Sequence, residues 1–454
     1  MNSRPDFNPL YSAVFTERVT FLAHSQYWTR ERMHDLQLRK LQGLVRHVAY
    51  NVPFYSEFLG SAGLTWRDFQ SIEDLRRFPL IDKKTIQASP DAFLMRGADP
   101  QQLVHRTTGG STGTPLTVWA DLDFLARDKA NTQHYMQVFG LDIFAHRSVR
   151  LYGDRIDAVS IERGEFWRVE EDRKLVVSPY HISRQTVASY VDTIVRHKPR
   201  YIHTRPSAIL PLARYMKEEG LELPEPIRFV FCDGEYITRG QRRLIEQAFQ
   251  ARLVNTYGHT EGALVGHPCL FSDALHFMPQ VGMLELLDKN GEEVAVVGAT
   301  GEMVATGFNN LVFPLIRYKT GDIAVQGEAS CACGRPYRLI AEVEGRLQDY
   351  VVDANGNLIP LAPAIFNYND MDWKGIREFK VVQERRGELV ILVEPEPELR
   401  MMGDGALAVL CERVGGILGP HFRLTAKFVD ALPKTAIGKY RYLDQKLDIR
   451  ELVE

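Results

Sequence analysis

The sequence predicts an α/β protein: a large N-terminal domain of parallel α/β layers with a small barrel-like part, followed by a small, mobile α+β C-terminal domain. Three observations carry this expectation. The chain has 454 residues, more than one hydrophobic core of about 250–300 residues accommodates. From about residue 147 to 330, short apolar runs alternate with amphipathic helical ones, the rhythm of strand–helix–strand units that build a parallel sheet. Beyond residue 280 the texture changes to strand pairs and turns, which suits an antiparallel or barrel-like attachment.

Taken in order, Leu36, Leu38, Leu41, Leu44, Val45 and Val48 recur at helical spacing within residues 25–50, and Pro53 in "NVPFY" ends that helix. "SIEDLRRF" starts with Ser71 and Asp74 in capping-box spacing, predicting a short helix that stops at Pro79. The alternating part then reads "SVRLYG", "TVASYVDTIVRH", "RYIHT", "SAILPLARYMKEEG", "IRFVFCDG", "QRRLIEQAFQ" and "RLVNTYG". In "GMLELLDKNGEEVAVVG" an Asn290-Gly291 turn is expected to join two strands. "EVEGRLQDYVVDANGNLIP" is expected to link the domains, which divides the chain into 1–345 and 346–454. The C-terminal part carries strands in "EFKVVQERRGELVILVEP", a helix in "GALAVLCERVGGIL" and a strand in "RLTAKFVD". There is no repeat of about 20–50 residues and no low-complexity tract.

Composition excludes several classes. Hydrophobic residues make up 45% and charged residues 25% of the chain, a globular profile and not a disordered one. Lys plus Arg at 55 nearly balances Asp plus Glu at 58, for a net charge of −3, so no excess of positive charge exists to neutralise a nucleic-acid backbone. The N-terminal "MNSRPDFNPLYSAVF" lacks the basic start and apolar core of a signal peptide, and no apolar run of about 18 residues suggests a membrane span. A cytoplasmic location, with neither nucleic acid nor membrane as partner, is the expectation. Five cysteines, an odd number, argue against a disulfide framework.

Four stretches carry chemistry. "TTGGSTGTP" (Thr107, Thr108, Gly109, Gly110, Ser111, Thr112, Gly113, then Thr114 and Pro115) combines bare backbone with hydroxyls. Glycines let main-chain N–H groups approach an anion, and the hydroxyls add donors, so a phosphate chain is the natural guest. It is not a Walker loop, because the Gly-Lys-Ser/Thr ending is absent. "NTYGHTEG" (Asn255–Gly262) follows an apolar strand and ends with Thr260 beside Glu261, oxygen ligands suited to a magnesium ion on phosphates. "IRYKTGDIA" presents Asp322 after a glycine, a carboxylate able to accept two hydrogen bonds from a ribose diol. "LPKTAIGKYRYL" sets Lys439 after a glycine on a flexible stem. Each alone could be a solvated turn.

In this order and spacing the four, with the Gly345-Arg346 pair, resemble the adenylate-forming superfamily of acyl-CoA synthetases, adenylation domains and luciferases. "AYNVPFYSEF" and "SIEDLRRFPLIDKKTI" are similar to the phenylacetate-CoA ligase branch and its capsular-polysaccharide-associated relatives. The resemblance implies ATP-dependent activation of a carboxylic acid, aromatic or arylacetic in this branch, as an acyl adenylate, followed by transfer to CoA. It implies that residues 107–113 hold the β- and γ-phosphates, that Glu261 binds Mg2+ with Thr260, and that Tyr257, Gly258, His259, Gly234 and Glu235 surround the nucleotide. Asp322 and Arg346 would hold the ribose, and Lys439 would stabilise charge between carboxylate and α-phosphate. The family carries Asp or Lys two residues after the hinge arginine; here Gln348 stands there, followed by Asp349. A hinge needs permissive dihedrals more than a charge, so a swing of the C-terminal domain remains the expectation.

Cys331 and Cys333 in "SCACGRPYRLI" can chelate one zinc ion, and tetrahedral closure needs two further ligands. Cys269 and His276 are the candidates, with His267 as a spare; two reduced cysteines without metal is the plainer alternative. Cys232 and Cys411 are expected in the core, and His259 and His181 near site loops. Rival readings keep the adenylation but change the acceptor to an amine, a carrier-protein thiol or direct AMP transfer, or make the chain a nucleotide-binding scaffold without activity. A homodimer is compatible with all of them.

Overall fold

The computed structural model describes residues 9–107, 116–152, 154, 156–237, 239–346, 350–356, 358–361, 375–432 and 442–447. The phosphate-loop residues Thr108 to Gly113, the hinge residues Gln348 and Asp349, and Lys439 lie outside them, as do the side chains of Thr107 and Arg346. The chain divides into two compact units, residues 1–146, 254–320 and 324–342 in the first, and 147–253, 321–323 and 343–454 in the second.

The first unit begins with helices α1 (Ala13–Ser25), α2 (Arg30–Asn51) and α3 (Pro53–Ser61). Thr29 caps α2 by accepting from Arg32 N. Pro53 both follows the end of α2 and occupies the first turn of α3, a position where its missing N–H costs nothing. "SIEDLRRF" does not make an α-helix. Asp74 accepts from the backbone N–H groups of Gln70 and Ser71 at 3.0 and 2.9 Å, and Glu73–Arg77 closes as a 3-10 turn. A hairpin of β1 (Val104–Thr107) and β2 (Thr117–Ala120), with Thr107 opposite Thr117, leads to α4 (Leu122–Val138).

The second unit's parallel sheet starts with β3 (Ser148–Leu151). A hairpin of β4 (Trp167–Glu170) and β5 (Lys174–Val177) comes next, and β5 pairs parallel with β3. Helix α5 (Val187–His197) leads to β6 (Tyr201–Thr204), α6 (Pro206–Glu218) to β7 (Phe229–Asp233), and α7 (Arg239–Phe249) follows. The order β7-β6-β3-β5-β4 puts β3 and β6 inside the sheet, and their apolar faces meet Ile194, Leu212, Met216, Ile245 and Phe249 from the helices in one core. The predicted strand–helix alternation is what the chain forms here.

The chain then enters β8 (Arg252–Gly258), β9 (Val265–His267), β10 (Leu275–Phe277), β11 (Gly282–Leu287), β12 (Thr300–Gly307), β13 (Tyr318–Gln326) and β14 (Arg338–Arg346). Their order in the first unit is β11-β12-β13-β14-β10-β9-β8. The Asn290-Gly291 turn does not join two adjacent strands as expected. Asp288 Oδ1 accepts from Asn290 N and Glu292 N, only the Leu287–Glu293 bridge follows, and the partner of β11 is β12, with Gly282 opposite Gly307.

The expected linker after β14 contains a small hairpin of its own, β15 (Tyr350–Val352) with β16 (Leu358–Pro360). The rest is an α+β segment: β17 (Ile376–Arg385), β18 (Glu388–Pro395), α8 (Asp404–Leu418), β19 (Arg423–Phe428) and β20 (Leu443–Gln445), in the order β19-β18-β17-β20. It has a core of its own from Phe379, Ile391, Val393, Leu410 and Val414. None of the described helices is long and apolar enough to cross a membrane.

Candidate active site and metal centre

Residues 108–115 connect β1 to β2 in the chain, and described residues near both ends of that segment make defined contacts. Asp121 caps α4 by accepting from Phe124 N at 2.7 Å. The guanidinium of Arg106, one residue before the loop, lies 5.3 Å from the centroid of the Phe124 ring and 3.4 Å from Asp128. Phe124 also supports the glutamate loop. Gly262, at φ +68°, follows Glu261, and a Cβ there would stand 2.4 Å from Phe124 Cζ. Only glycine fits both that backbone conformation and that approach.

Glu261 is buried, with 8% of its surface exposed. Tyr318 Oη, at the start of β13, donates to its Oε1 at 2.8 Å. His259 Nε2 accepts from Leu264 N at 3.1 Å, so the ring carries its proton on Nδ1 and donates it to Glu261 Oε2, also at 3.1 Å. Burial alone would favour the neutral acid; the hydrogen bond from His259, with the Tyr318 hydroxyl, reverses this and holds the carboxyl at about 2. Each oxygen keeps a lone pair for a cation. Tyr257 packs its ring 5.4 Å from Phe277 and 6.0 Å from His259; Gly258 beside it is exposed and Thr260 half-buried.

Sequence reasoning missed two residues here. Tyr318 lies within "IRYKTGDIA", and nothing local marks it, since its partner lies 57 positions away. Asn255 Oδ1 is buried without a partner among the described residues, an open acceptor on the strand that leads to Glu261. In the second unit, Gly234, at φ +71°, and half-buried Glu235 follow the end of β7. Asp322 sits on β13 with 6% of its surface exposed, after Gly321 at φ +74°.

The metal-ligand candidates meet in the first unit. One ligand atom from each of Cys269, His276, Cys331 and Cys333 lies within 4.8 Å of the others. Cys269 Sγ and Cys331 Sγ are 3.6 Å apart, and Cys333 Sγ is 3.3 Å from His276 Nε2. A tetrahedral ion with bonds of about 2.3 Å to sulfur separates its ligands by about 3.7 Å. His276 Nδ1 donates to Ala274 O at 2.9 Å, which leaves the Nε2 lone pair facing the thiols. The N–H groups of Phe271 and Cys333 point at Cys269 Sγ and Cys331 Sγ at 3.3 and 3.5 Å, and Gly334, at φ +77°, makes the turn. His267 is outside this group; its Nδ1 donates to Pro268 O at 2.7 Å. The donor set, two sulfurs from one knuckle, one from another and an oriented imidazole, suits zinc. Of the other cysteines, Cys232 is buried in β7 with its thiol pushed well up by burial, and Cys411 is half-buried.

Comparison with known proteins follows the same lines. Residues 164–312 match the AMP-binding enzyme family. The chain is 23% identical to protein CapK of Staphylococcus aureus, over 90% of this chain and 88% of the relative. It is 26% identical to a phenylacetate-coenzyme A ligase of Thermus thermophilus, over 73% of this chain and 74% of that one. Among solved structures, 2-hydroxyisobutyryl-CoA ligase in the postadenylation state superposes with a TM-score of 0.71 at 20% identity, covering 100% of this chain and 97% of that one. The acyl acid amido synthetase AtGH3.15 has the same fold, with a TM-score of 0.59 at 13% identity, covering 99% and 97%.

Proposed function

We propose that this chain, a homologue of the phenylacetate-CoA ligases with the adenylate-forming fold, uses ATP to activate a carboxylic acid and passes the acyl group to CoA. An oxygen of the acid's carboxylate attacks the α-phosphorus of ATP and pyrophosphate leaves. The CoA sulfur then attacks the acyl carbon of the adenylate and AMP leaves.

The observation that carries this reading is Glu261, buried yet held ionised by Tyr318 and His259 next to the Phe124 support shared with the base of the glycine-threonine hairpin. A lone carboxylate kept charged out of water calls for a cation, and Mg2+ on the β- and γ-phosphates is the cation that a phosphate loop brings. Thr107 to Gly113 would cradle those phosphates, with Thr260 beside the ion. Tyr257 would flank the adenine near Gly258, Gly234 and Glu235, and Asn255 Oδ1 would accept from its amino group. Asp322 and Arg346 would take the ribose hydroxyls, and Lys439 would meet the charge that develops between carboxylate and α-phosphate.

The Cys269, His276, Cys331 and Cys333 cluster would hold a structural zinc ion. The separate core beyond residue 350 supports a division near residue 345, with the C-terminal part able to turn between the two half-reactions. A cytoplasmic enzyme acting on small molecules fits this chemistry. The test is pyrophosphate release over a panel of aromatic, arylacetic and aliphatic acids, each with and without CoA. CoA-dependent release of AMP from the adenylate supports the reading; AMP release only with an added amine or carrier-protein thiol moves the acceptor; no pyrophosphate from any acid removes it.

A further inference from the structure

Arg317, the residue just before Tyr318, holds an unfavourable backbone conformation, and no step of the proposed reaction uses it. Among the described residues Glu171, Asp172, Lys198 and Gln250 share its positive φ, and all four are exposed. Arg317, at φ +50°, is buried. A long side chain in the left-handed region is strained, and such strain persists only where the surroundings over-determine it.

Here they do so through side chain and main chain together. Arg317 Nε donates to both oxygens of Glu285 on β11, at 3.2 and 3.1 Å, and Nη2 donates to Glu285 Oε1 at 2.9 Å. Nη1 donates to Phe78 O at 3.0 Å and to Arg76 O at 3.3 Å. All three guanidinium nitrogens are therefore engaged, and Glu285 is buried like its partner. Arg317 N donates to Thr306 Oγ1 on β12 at 3.0 Å. Arg317 O accepts from Ile81 N at 3.0 Å, and Lys319 N donates to Ile81 O at 2.8 Å. Tyr318 stands between those two fixed points, and its hydroxyl meets Glu261 Oε1.

A buried ion pair is a poor source of stability, because taking two charges out of water offsets most of their attraction; its firmer use is to fix one arrangement among several. The arrangement fixed here is the turn into β13. An ordinary negative φ at position 317 would turn the peptide that follows and carry the Tyr318 ring away from the carboxylate assigned to magnesium. We infer that Arg317 is a positioning residue of the reaction: clamped by Glu285, it imposes the turn that aims Tyr318 at Glu261, and so sets the affinity of the site for magnesium-bound ATP. It acts through Tyr318 and not by contact with substrate. The inference deepens the adenylation reading and rests on it.

The test is calorimetric titration of the full-length protein with Mg-ATP, and with ATP in EDTA, which needs no knowledge of the acid. The proteins compared are the wild type, Tyr318→Phe, the pair variant Arg317→Met with Glu285→Leu, Arg317→Lys, and the last two each combined with Tyr318→Phe. The pair variant removes both charges at similar volume, so no unpaired charge is left buried; Arg317→Lys keeps the charge and loses the fork. Melting curves identify the folded proteins, and Arg317→Lys carries the comparison if the pair variant does not fold. Tyr318→Phe and the pair variant should each raise the Kd for Mg-ATP by about 10-fold, as loss of a hydrogen bond to a charged group does, and Arg317→Lys by about 3-fold. Kd for ATP in EDTA should change by less than about 2-fold, and adding Tyr318→Phe to the pair variant should weaken Mg-ATP by less than about 2-fold more, since both act on one contact. An unchanged Kd for Mg-ATP in the folded variants, equal weakening with and without magnesium, or effects of Arg317 and Tyr318 that simply multiply would each overturn the inference and leave adenylation standing. A wild type that binds no Mg-ATP overturns the adenylation reading and this inference together.

Discussion

The hydroxyl of Tyr318 donates to Glu261 Oε1 at 2.8 Å, joining the start of β13 to the end of the glutamate loop across 57 residues. The bond does two things at once: it satisfies a buried phenol and keeps a buried carboxylate charged. Removing one partner leaves the other with an unmet demand that typically costs about 1–3 kcal/mol. Tyr318→Phe should therefore lower kcat/KM for adenylate formation by roughly 10-fold through a higher KM for Mg-ATP. Steady-state kinetics at varied magnesium checks this; an unchanged KM for Mg-ATP removes Glu261 as the cation's ligand.

The same carboxyl gives a pH dependence whose sign is fixed. Its folded value of about 2 lies below the ordinary 4.5, so the unfolded chain binds the extra proton between those values. The stability contributed by Glu261 is complete above pH 4.5 and is lost as the pH falls towards 2. Tyr318→Phe removes one of the bonds that depress this value, so its acid unfolding should begin at a higher pH than in the wild type. Circular dichroism titrations of the two proteins compare the midpoints; coincident curves would show that the bond does not hold the charge.

Gly262 and Phe124 make a coupled pair. A Cβ at position 262 meets Phe124 Cζ at 2.4 Å and also strains a backbone at φ +68°. Gly262→Ala should destabilise the protein by about 1–3 kcal/mol and displace Glu261, reducing adenylation. Gly262→Ala combined with Phe124→Leu relieves the steric part and leaves the backbone part. In a double-mutant cycle on urea unfolding, the pair should therefore show a coupling of about 1 kcal/mol; strict additivity would mean that the ring does not hold the loop.

Much of this was legible in the sequence because it depends on local pattern. The strand–helix rhythm from Ser148 to Gly258 reads directly, since burial on a parallel sheet selects apolar runs of strand length. The four cluster residues Cys269, His276, Cys331 and Cys333 follow from donor chemistry and spacing. What escaped depends on distant partners. Helix α1 buries Arg18, which has 7% of its surface exposed and reaches Asn131 and Gln280 O; an arginine on an inward face breaks the apolar periodicity that marks a helix. The Asn290-Gly291 turn misled because its residues fit a hairpin locally, while the strand that β11 needs comes only at Thr300. The contacts of Tyr152 and His203 with Asp233 leave no local signal for the same reason: each residue looks ordinary until register sets the strand ends side by side.

The sulfur cluster predicts a stoichiometry. Purified protein should contain one zinc ion per chain by elemental analysis, and Cys331→Ser or His276→Ala should lose it together with about 5 °C or more of thermal stability. Cys411→Ser, half-buried in α8 and outside the cluster, is the control and should keep its zinc. Because Cys269 and His276 lie just after the Glu261 loop, adenylation should fall with metal loss mainly at higher temperature. Full metal content in Cys331→Ser would refute the centre.

The role proposed for Lys439 would separate the two half-reactions. A positioned ammonium opposite the α-phosphate stabilises charge that exists only while the carboxylate oxygen bonds to phosphorus, so its contribution falls on the adenylating transition state. Lys439→Ala should slow pyrophosphate release by two to three powers of ten, roughly 2.7–4 kcal/mol of transition-state stabilisation, and Lys439→Arg should restore little, because the planar fork does not reproduce a point charge. Thioester formation from a supplied acyl adenylate and CoA involves no attack on phosphorus and should proceed at close to the wild-type rate. Single-turnover measurement of both steps in the same variant decides it: equal loss in the two would mean that Lys439 acts on the placement of the C-terminal part as a whole, and not on the charge of the first transition state.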